Sequence, residues 1–274
     1  MKNFMRFFLA SLCFFWSLFF VKTASCDESF EKRKAIEMEW LKEISRVAAS
    51  IGSDELNKIS LFLNNNAVLG APHQFGVRAL EGGKKRSLAI IFVPVFEEDC
   101  KLSEEWSVFY RSDLAAQFFP DLKVIAINSR IKFSYLAKAM ALAKEGHLAY
   151  AAIGINCKEG CDLYQSFIER DAQSFQNKLM DFWGGSRYRK LVFEEANLIG
   201  RVIKKNDNNG FFLPSPKKYD KRLSDIFAKP YSKEEESFWA TSYWIHAVFI
   251  AIEKNTDGDA GEQKMLFLRS LYQE

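Results

Sequence analysis

Apolar positions recur every three or four residues along most of this chain, with one short interval where the period changes. From Glu28 to about Ile51, Ile36, Trp40, Ile44, Val47 and Ile51 follow helical spacing, and Gly52 ends the run. Ser53 is expected to cap a second helix, Asp54 to about Asn64, with Leu56, Ile59 and Leu63 on one face. Asn64 to Asn66 and Gly70-Ala-Pro72 break that pattern. Ser87 to Phe96 is then a continuous apolar run rich in branched and aromatic residues, which predicts a buried strand whose end or edge Pro94 marks. Trp106 to Tyr110 reads as a further strand, Ser112 to Phe119 as a helix stopped by Pro120, and Leu122 to Ile127 as a clear second strand.

From Ser134 onward the spacing is helical again. Ser134–Ala152 is one helix, and Asp162–Trp183 is another, with Leu163, Phe167, Phe175 and Leu179 on one stripe and Gly184-Gly185 closing it. Arg187 to Lys205 extends the helical pattern, and a loop rich in Asn, Gly and Pro follows to about Pro216. Ser232, with Glu235 three residues on, has the form of a capping box opening a long helix through Trp239, Tyr243, His246 and Ile250 to about Lys254. A last helix spans Gly261–Tyr272. The expectation is a helix-rich α+β fold with a small sheet, and no repeat or Pro/Ser-rich linker divides it.

Composition changes this picture at the start of the chain. Lys2 and Arg6 flank an apolar run of fifteen residues, Phe7 to Val21, and Thr23-Ala24-Ser25 offers small residues for cleavage. That is the form of a secretory signal over residues 1–25, since the run is shorter than the roughly 20 residues that span a bilayer. A secreted or periplasmic location follows, with no stable transmembrane segment after cleavage. A lipid anchor at Cys26 is the less favoured alternative, because Thr23 stands where the usual Leu would. Residues 26–274 are then expected to form a single helix-rich domain. The signal holds three of the 38 basic residues and no acid, leaving 35 basic against 35 acidic residues and no basis for nucleic-acid binding through net charge. Runs such as Glu31 to Lys34 and Lys233 to Glu236 read as solvated helix faces. A hydrophobic content of 48% with 26 Phe supports a packed core rather than disorder.

Cys157-Lys-Glu-Gly-Cys161 is the notable cysteine pair. In an exported chain the default is a short-loop disulfide, with free thiols or a metal pair as alternatives. The spacing is not that of a zinc knuckle or a thioredoxin-like site. Cys26 and Cys100 are left as a second pair that spacing alone does not decide.

The chemistry concentrates in Lys144-Glu145-Gly146-His147-Leu148-Ala149-Tyr150 and, 21 residues after Leu148, in Glu169-Arg170-Asp171-Ala172, extended by Phe175 and Gln176. The first segment resembles the H-E-x-x-H helix of zincin metallopeptidases, in the form "LLHEGHHAY", with Lys144 and Leu148 at the two ligand positions and Glu145 in register. The second resembles the gluzincin helix that supplies a third ligand as Glu followed by Ala. The resemblance covers roughly Leu122–Trp183, within a zincin-like core of about residues 87–183. It implies a strand lining a substrate cleft just before the motif helix, and a helix pair facing each other across the former site.

Leu148 has no lone pair, and a protonated Lys144 about 4 Å from a divalent ion would be repelled by about 8 kcal/mol at an effective dielectric of about 20. The resemblance therefore implies neither a metal nor another cofactor. Lys144 is instead expected to pair with Glu169 in place of the cation. The functional expectation is an exported, non-catalytic zincin-like protein that binds a peptide or protein partner through Lys144, His147 and Glu169, with Glu145 a vestige of the catalytic residue. An active hydrolase using Glu145, His147 and Glu169 is the alternative. A structural envelope protein unrelated to peptidases is a third, in which Leu136, Ala139, Met140, Ala143 and His147 are ordinary core positions. His73 and His246 are weaker candidates. Asp257 to Glu262 has a calcium-like composition but misses the EF-hand positions and reads as a turn.

Overall fold

The computed structural model describes residues 42, 54–66, 68–70, 89–93, 114–120, 123–128, 130–153, 161–205, 219–256 and 258–272. The signal, the first expected helix apart from the helical Lys42, the strand at Trp106–Tyr110, His73, the loop before Pro216 and every cysteine side chain lie outside them. The elements are α1 (Asp54–Asn66), β1 (Val68–Gly70), β2 (Ala89–Val93), β3 (Ala116–Phe119), β4 (Val124–Asn128), α2 (Tyr135–Ile153), α3 (Cys161–Lys205), α4 (Ser224–Phe227), α5 (Lys233–Asn255) and α6 (Ala260–Tyr272). The fold is α+β and dominated by helices. Among the described residues no helix is long and apolar enough to cross a membrane.

The described strands form one four-stranded sheet in the order β1-β2-β4-β3. β1, β2 and β4 are parallel, and β3 runs antiparallel along the β4 side. All five residues of β4 are buried, as an interior strand covered on both faces requires. β2 stops at Val93, one residue before Pro94, and it is an internal strand rather than an edge.

Two expectations are corrected here. The helix expected at Ser112 to Phe119 is not found in its described part: Ala116–Phe119 is strand β3, paired from Ala116↔Ile127 to Phe119↔Val124. The aromatic pair Phe118-Phe119 suits a pleated surface, and a tight turn returns the chain into β4, with Lys123 N–H donating to Pro120 O at 3.2 Å and Lys123 at φ 53°. As a result the strand expected at Leu122–Ile127 lies inside the sheet, and among the described strands β3 is the edge on that side. β1 was not expected either, because the Asn run and Gly70 around it read as punctuation.

Two apolar clusters build the core. One joins Ile59 and Leu63 of α1, Ile125 and Ile127 of β4, Leu142 and Leu148 of α2, and Phe175 and Leu179 of α3. The other joins Met140 of α2 to Tyr188, Leu191 and Val192 of α3 and to Trp239, Val248 and Ile252 of α5. α2 serves both clusters, and from Ala137 to Ala149 only Lys138 and Lys144 are less than buried. That explains its nearly all-round apolar sequence. On α3, Phe175 and Leu179 are buried as expected, but Phe167 is exposed, with the Arg170 guanidinium 5.2 Å from its ring.

α3 is not one straight rod. Gly185 sits at φ 58°, ψ −151°, a conformation reserved for glycine, and it separates helical residues 161–184 from 186–205. The expected break at Gly184-Gly185 is therefore a kink between two helical halves. Asp259 accepts from the N–H groups of Gly261 and Glu262, so its carboxylate serves the start of α6.

The N-terminus of α5 departs from its expected form. Ser232 accepts from Glu235 N–H at 3.2 Å, which is half of a capping box. The Glu235 carboxylate does not reach back to Ser232. It accepts from Tyr231 N–H at 2.9 Å, Trp239 Nε1–H at 3.1 Å, and both the backbone N–H (2.8 Å) and the hydroxyl of Ser134. Glu235 is 1% exposed, so the Lys233–Glu236 run is not wholly a solvated face. Its bonds tie the start of α5 to the start of α2, where the Ser134 hydroxyl also accepts from Ala137 N–H at 3.3 Å.

Candidate functional site

The helical period carries Lys144 and Glu145 of α2 to the side facing β3, α3 and α5. There they form part of the floor of a groove of roughly 480 Å³. Gln173 and Gln176 of α3 continue the floor. One wall is Leu114, Ala115 and Ala116, leading into and along β3. The other is a stripe of α5 at helical spacing, in which Ser237, Thr241 and Ser242 alternate with Phe238 and Ile245.

Glu145 is buried, and its carboxylate accepts the backbone N–H of Phe118 at 2.7 Å. Burial raises its pKa from 4.5 to about 7; Lys144 and the Phe118 N–H oppose the rise, and Glu169 adds to it. The group thus titrates near neutrality in a groove whose lining also holds the Lys144 and Lys233 ammonium groups and the Glu234 carboxylate.

Lys144 Nζ lies 4.0 Å from Glu169 Oε2, an ion-pair separation beyond hydrogen-bond length, with both side chains partly exposed. The structure therefore brings Lys144, Glu145 and Glu169 together. His147 is elsewhere: it is buried with its ring 5.4 Å from that of Phe175, and neither it nor Glu169 lines the groove. His246 is packed deeper in the helical cluster, beside Tyr188.

Gly146 has a local reason. A Cβ there would stand 2.8 Å from Leu63 Cδ1, so the missing side chain lets α1 close on α2. The residue between Glu145 and His147 is thus set by packing.

The site does not suit a divalent ion. Leu148 is a buried aliphatic side chain of the core, Lys144 brings a positive charge, and no group of three or more His, Cys, Asp or Glu among the described residues could hold a metal.

Sequence reasoning missed three parts of this site. The Phe118 N–H that holds Glu145 belongs to a segment read as helix. Gln173 and Asn177 are buried beside Gln176, which the resemblance had singled out, with Gln173 Nε2 donating to Gln176 Oε1 at 3.0 Å and to Asn177 Oδ1 at 3.1 Å. Three amides within five residues of an apolar-striped helix were the available signal. The α5 wall was legible only as hydroxyls at positions 237, 241 and 242 on a helix otherwise rich in aromatics.

No family model, no curated protein and no solved structure matches the chain.

Proposed function

We propose that this is an exported, zincin-like protein that has lost the metal site and uses the former cleft to bind an extended peptide. The observation that carries the reading is the juxtaposition of the Lys144–Glu145 floor with the edge of β3 that no other described strand covers.

The register supports docking along that edge. Asn128 N–H donates to Ala115 O at 2.8 Å, so Ala115 and Asn128 form a hydrogen-bonded pair. In an antiparallel ladder such pairs alternate, which turns the N–H and C=O of Ala116 and Phe118 away from β4. Phe118 N–H meets Glu145, and Ala116 faces the groove. An extended peptide can add to this edge through backbone bonds while Phe133, Phe238 and Ile245 receive its apolar side chains.

A second reading is a hydrolase in which Glu145, with its pKa near 7, acts as general base. Against it, the described residues of the groove supply no metal cluster to activate water or an acyl oxygen.

The test is a titration of degenerate extended hexapeptides against the full chain, followed by fluorescence anisotropy. The expected result is saturable binding that Thr241→Trp, placed on the groove wall, removes without loss of fold. Absence of binding refutes the proposal, and cleavage of the peptides that disappears in Glu145→Gln favours the second reading. Ancestry has its own test. Lys144→His with Leu148→His is expected to take up one zinc ion that Glu169→Gln releases; no uptake in a folded double variant counts against a zincin origin.

A further inference from the structure

Away from the groove, we infer that the pocket between the ends of α3 and α5 binds a phosphate monoester, held between Arg201 and Lys254.

The pocket has a volume of about 320 Å³ and is lined by Asn197, Gly200 and Arg201 of α3 and by Lys254 and Asn255 of α5. Two of these five residues are cations, two are carboxamides, and none is an acid. Asn197, Gly200 and Arg201 are three and four residues apart, so the helical period sets them on one face. Gly200 is buried there, and a Cβ on it would stand 2.5 Å from Asn255 Nδ2. The missing side chain lets the carboxamide of α5 lie directly against α3.

The acids that flank the pocket in sequence are taken up elsewhere. Glu253 pairs with Lys264, and Glu194 pairs with Arg222 at 3.1 Å. Glu195 lies toward Tyr243 and is not part of the lining. Among the described residues no ion pair engages Arg201 or Lys254. Lys254 Nζ sits 4.4 Å from the centre of the Phe193 ring, which holds the ammonium over α3 one turn before Asn197. That contact uses no hydrogen-bond acceptor, so the donors of the ammonium remain for a ligand.

A helix C-terminus ordinarily repels an anion, because its last carbonyls carry partial negative charge. At the end of α5 the Ala251 carbonyl accepts from Asn255 Nδ2–H at 2.7 Å. The Ile252 carbonyl accepts from Thr256 N–H at 3.0 Å and from the Thr256 hydroxyl at 2.7 Å. These bonds blunt the repulsion at the pocket. The second amide hydrogen of Asn255 is left over, since a carboxamide carries two.

The donor set selects the ligand class. A guanidinium fork, an ammonium and two carboxamides offer more donors than the two oxygens of a carboxylate accept. A phosphate monoester has three terminal oxygens and close to two negative charges at neutral pH, matching the two cations.

The experiment titrates the full chain with glycerol phosphate and with acetate at one fixed ionic strength, read by calorimetry. Vesicles of phosphatidylcholine with and without phosphatidate form a further arm. Glycerol phosphate is expected to bind saturably and at least tenfold tighter than acetate. Arg201→Gln and Lys254→Gln are each expected to weaken it about tenfold, the scale of one charge-assisted hydrogen bond. Lys254→Arg should retain it. Both side chains are exposed, and unchanged denaturation midpoints would separate lost binding from lost fold. Added binding to phosphatidate vesicles supports the site and makes a lipid headgroup its ligand; its absence supports a soluble ester. No saturable binding of glycerol phosphate, with or without vesicle binding, overturns the inference. So does equal affinity for acetate, or binding that survives in the Arg201→Gln, Lys254→Gln double variant.

Discussion

His246 Nδ1 lies 2.9 Å from the hydroxyl of Tyr188, and its other ring nitrogen is 3.9 Å from Asp181. Asp181 and Tyr188 are on opposite sides of the kink at Gly185, so one imidazole on α5 spans the break in α3. Tyr188 also donates toward Met180 Sδ at 3.5 Å, a second contact across the kink. Burial of both rings keeps the phenol protonated and the imidazole neutral: the Tyr188 pKa is driven well above 10, and burial, with the nearby Lys264 ammonium, lowers that of His246 from 6.5 to about 4.

The first expected outcome concerns acid stability. In the folded protein His246 binds its proton only near pH 4, whereas in the unfolded chain it does so near 6.5. Its contribution is therefore complete above about pH 6.5 and disappears as the pH falls toward 4, with a full size of roughly 3 kcal/mol. His246→Gln is expected to remove that rise with pH, making the slope of stability against pH more negative in urea denaturation between pH 4 and 7. An unchanged slope would show that His246 is not protonated on unfolding.

Glu145 has the opposite sign. Its folded pKa is about 7 against an ordinary 4.5, so the folded state holds a proton that the unfolded state releases. That contribution is complete below about pH 4.5 and is lost as the pH rises through 7, again on the order of 3 kcal/mol. Glu145→Gln preserves an acceptor for Phe118 N–H and removes the titration. The variant is expected to gain stability relative to the native chain at pH 8, and little at pH 4.5. Because the His246 and Glu145 slopes oppose each other between pH 4.5 and 6.5, each single variant should show a steeper profile there than the native chain.

Glu235→Ala is expected to be the most damaging single polar change at the α2–α5 junction. It leaves the N–H groups of Ser134, Tyr231 and Trp239 without their shared carboxylate in a site that is 1% exposed. Loss of about 3–5 kcal/mol, read from the denaturation midpoint, is the scale for breaking a buried charged network. Glu235→Gln, which keeps one acceptor oxygen, should lose less.

Two neighbouring glycines separate steric from conformational cost. A Cβ at Gly184 would come within 2.2 Å of Tyr188 Cβ, whereas one at Gly185 meets nothing within 4 Å. Gly185→Ala should therefore cost only the backbone strain of φ 58°, about 1–3 kcal/mol. Gly184→Ala should cost more and displace Tyr188, visible as loss of its contact to His246 in the acid profile. Equal destabilisation by both would contradict the tight approach at Gly184.

Helices with strong local signals were readable in the chain itself. Ser232 caps α5, and the spacing of Trp239, Tyr243 and His246 buries the face it predicted. Gly184-Gly185 marks a real break because the pairing of φ 58° with ψ −151° at Gly185 belongs to glycine alone. The α+β class followed from the single change of period around Ser87 to Phe96, and β4 from its unbroken apolar run.

Pairing partners were not readable, because they depend on residues far apart in sequence. Ala116–Phe119 has no decisive period over four residues, and it becomes a strand only where β4 supplies the ladder. Capping-box spacing singles out Glu235 from the exposed Glu236 beside it, but not its burial; that comes from Ser134, brought there by the packing of α2. Likewise the sequence placed Lys144, Glu145 and Glu169 on helices at a suggestive separation. Tertiary packing alone put the first two in a groove, seated Glu145 on the backbone of β3, and withdrew His147 into the core. Propensity and period act over one or two helical turns, whereas burial and the electrostatics it governs are set by which surfaces meet.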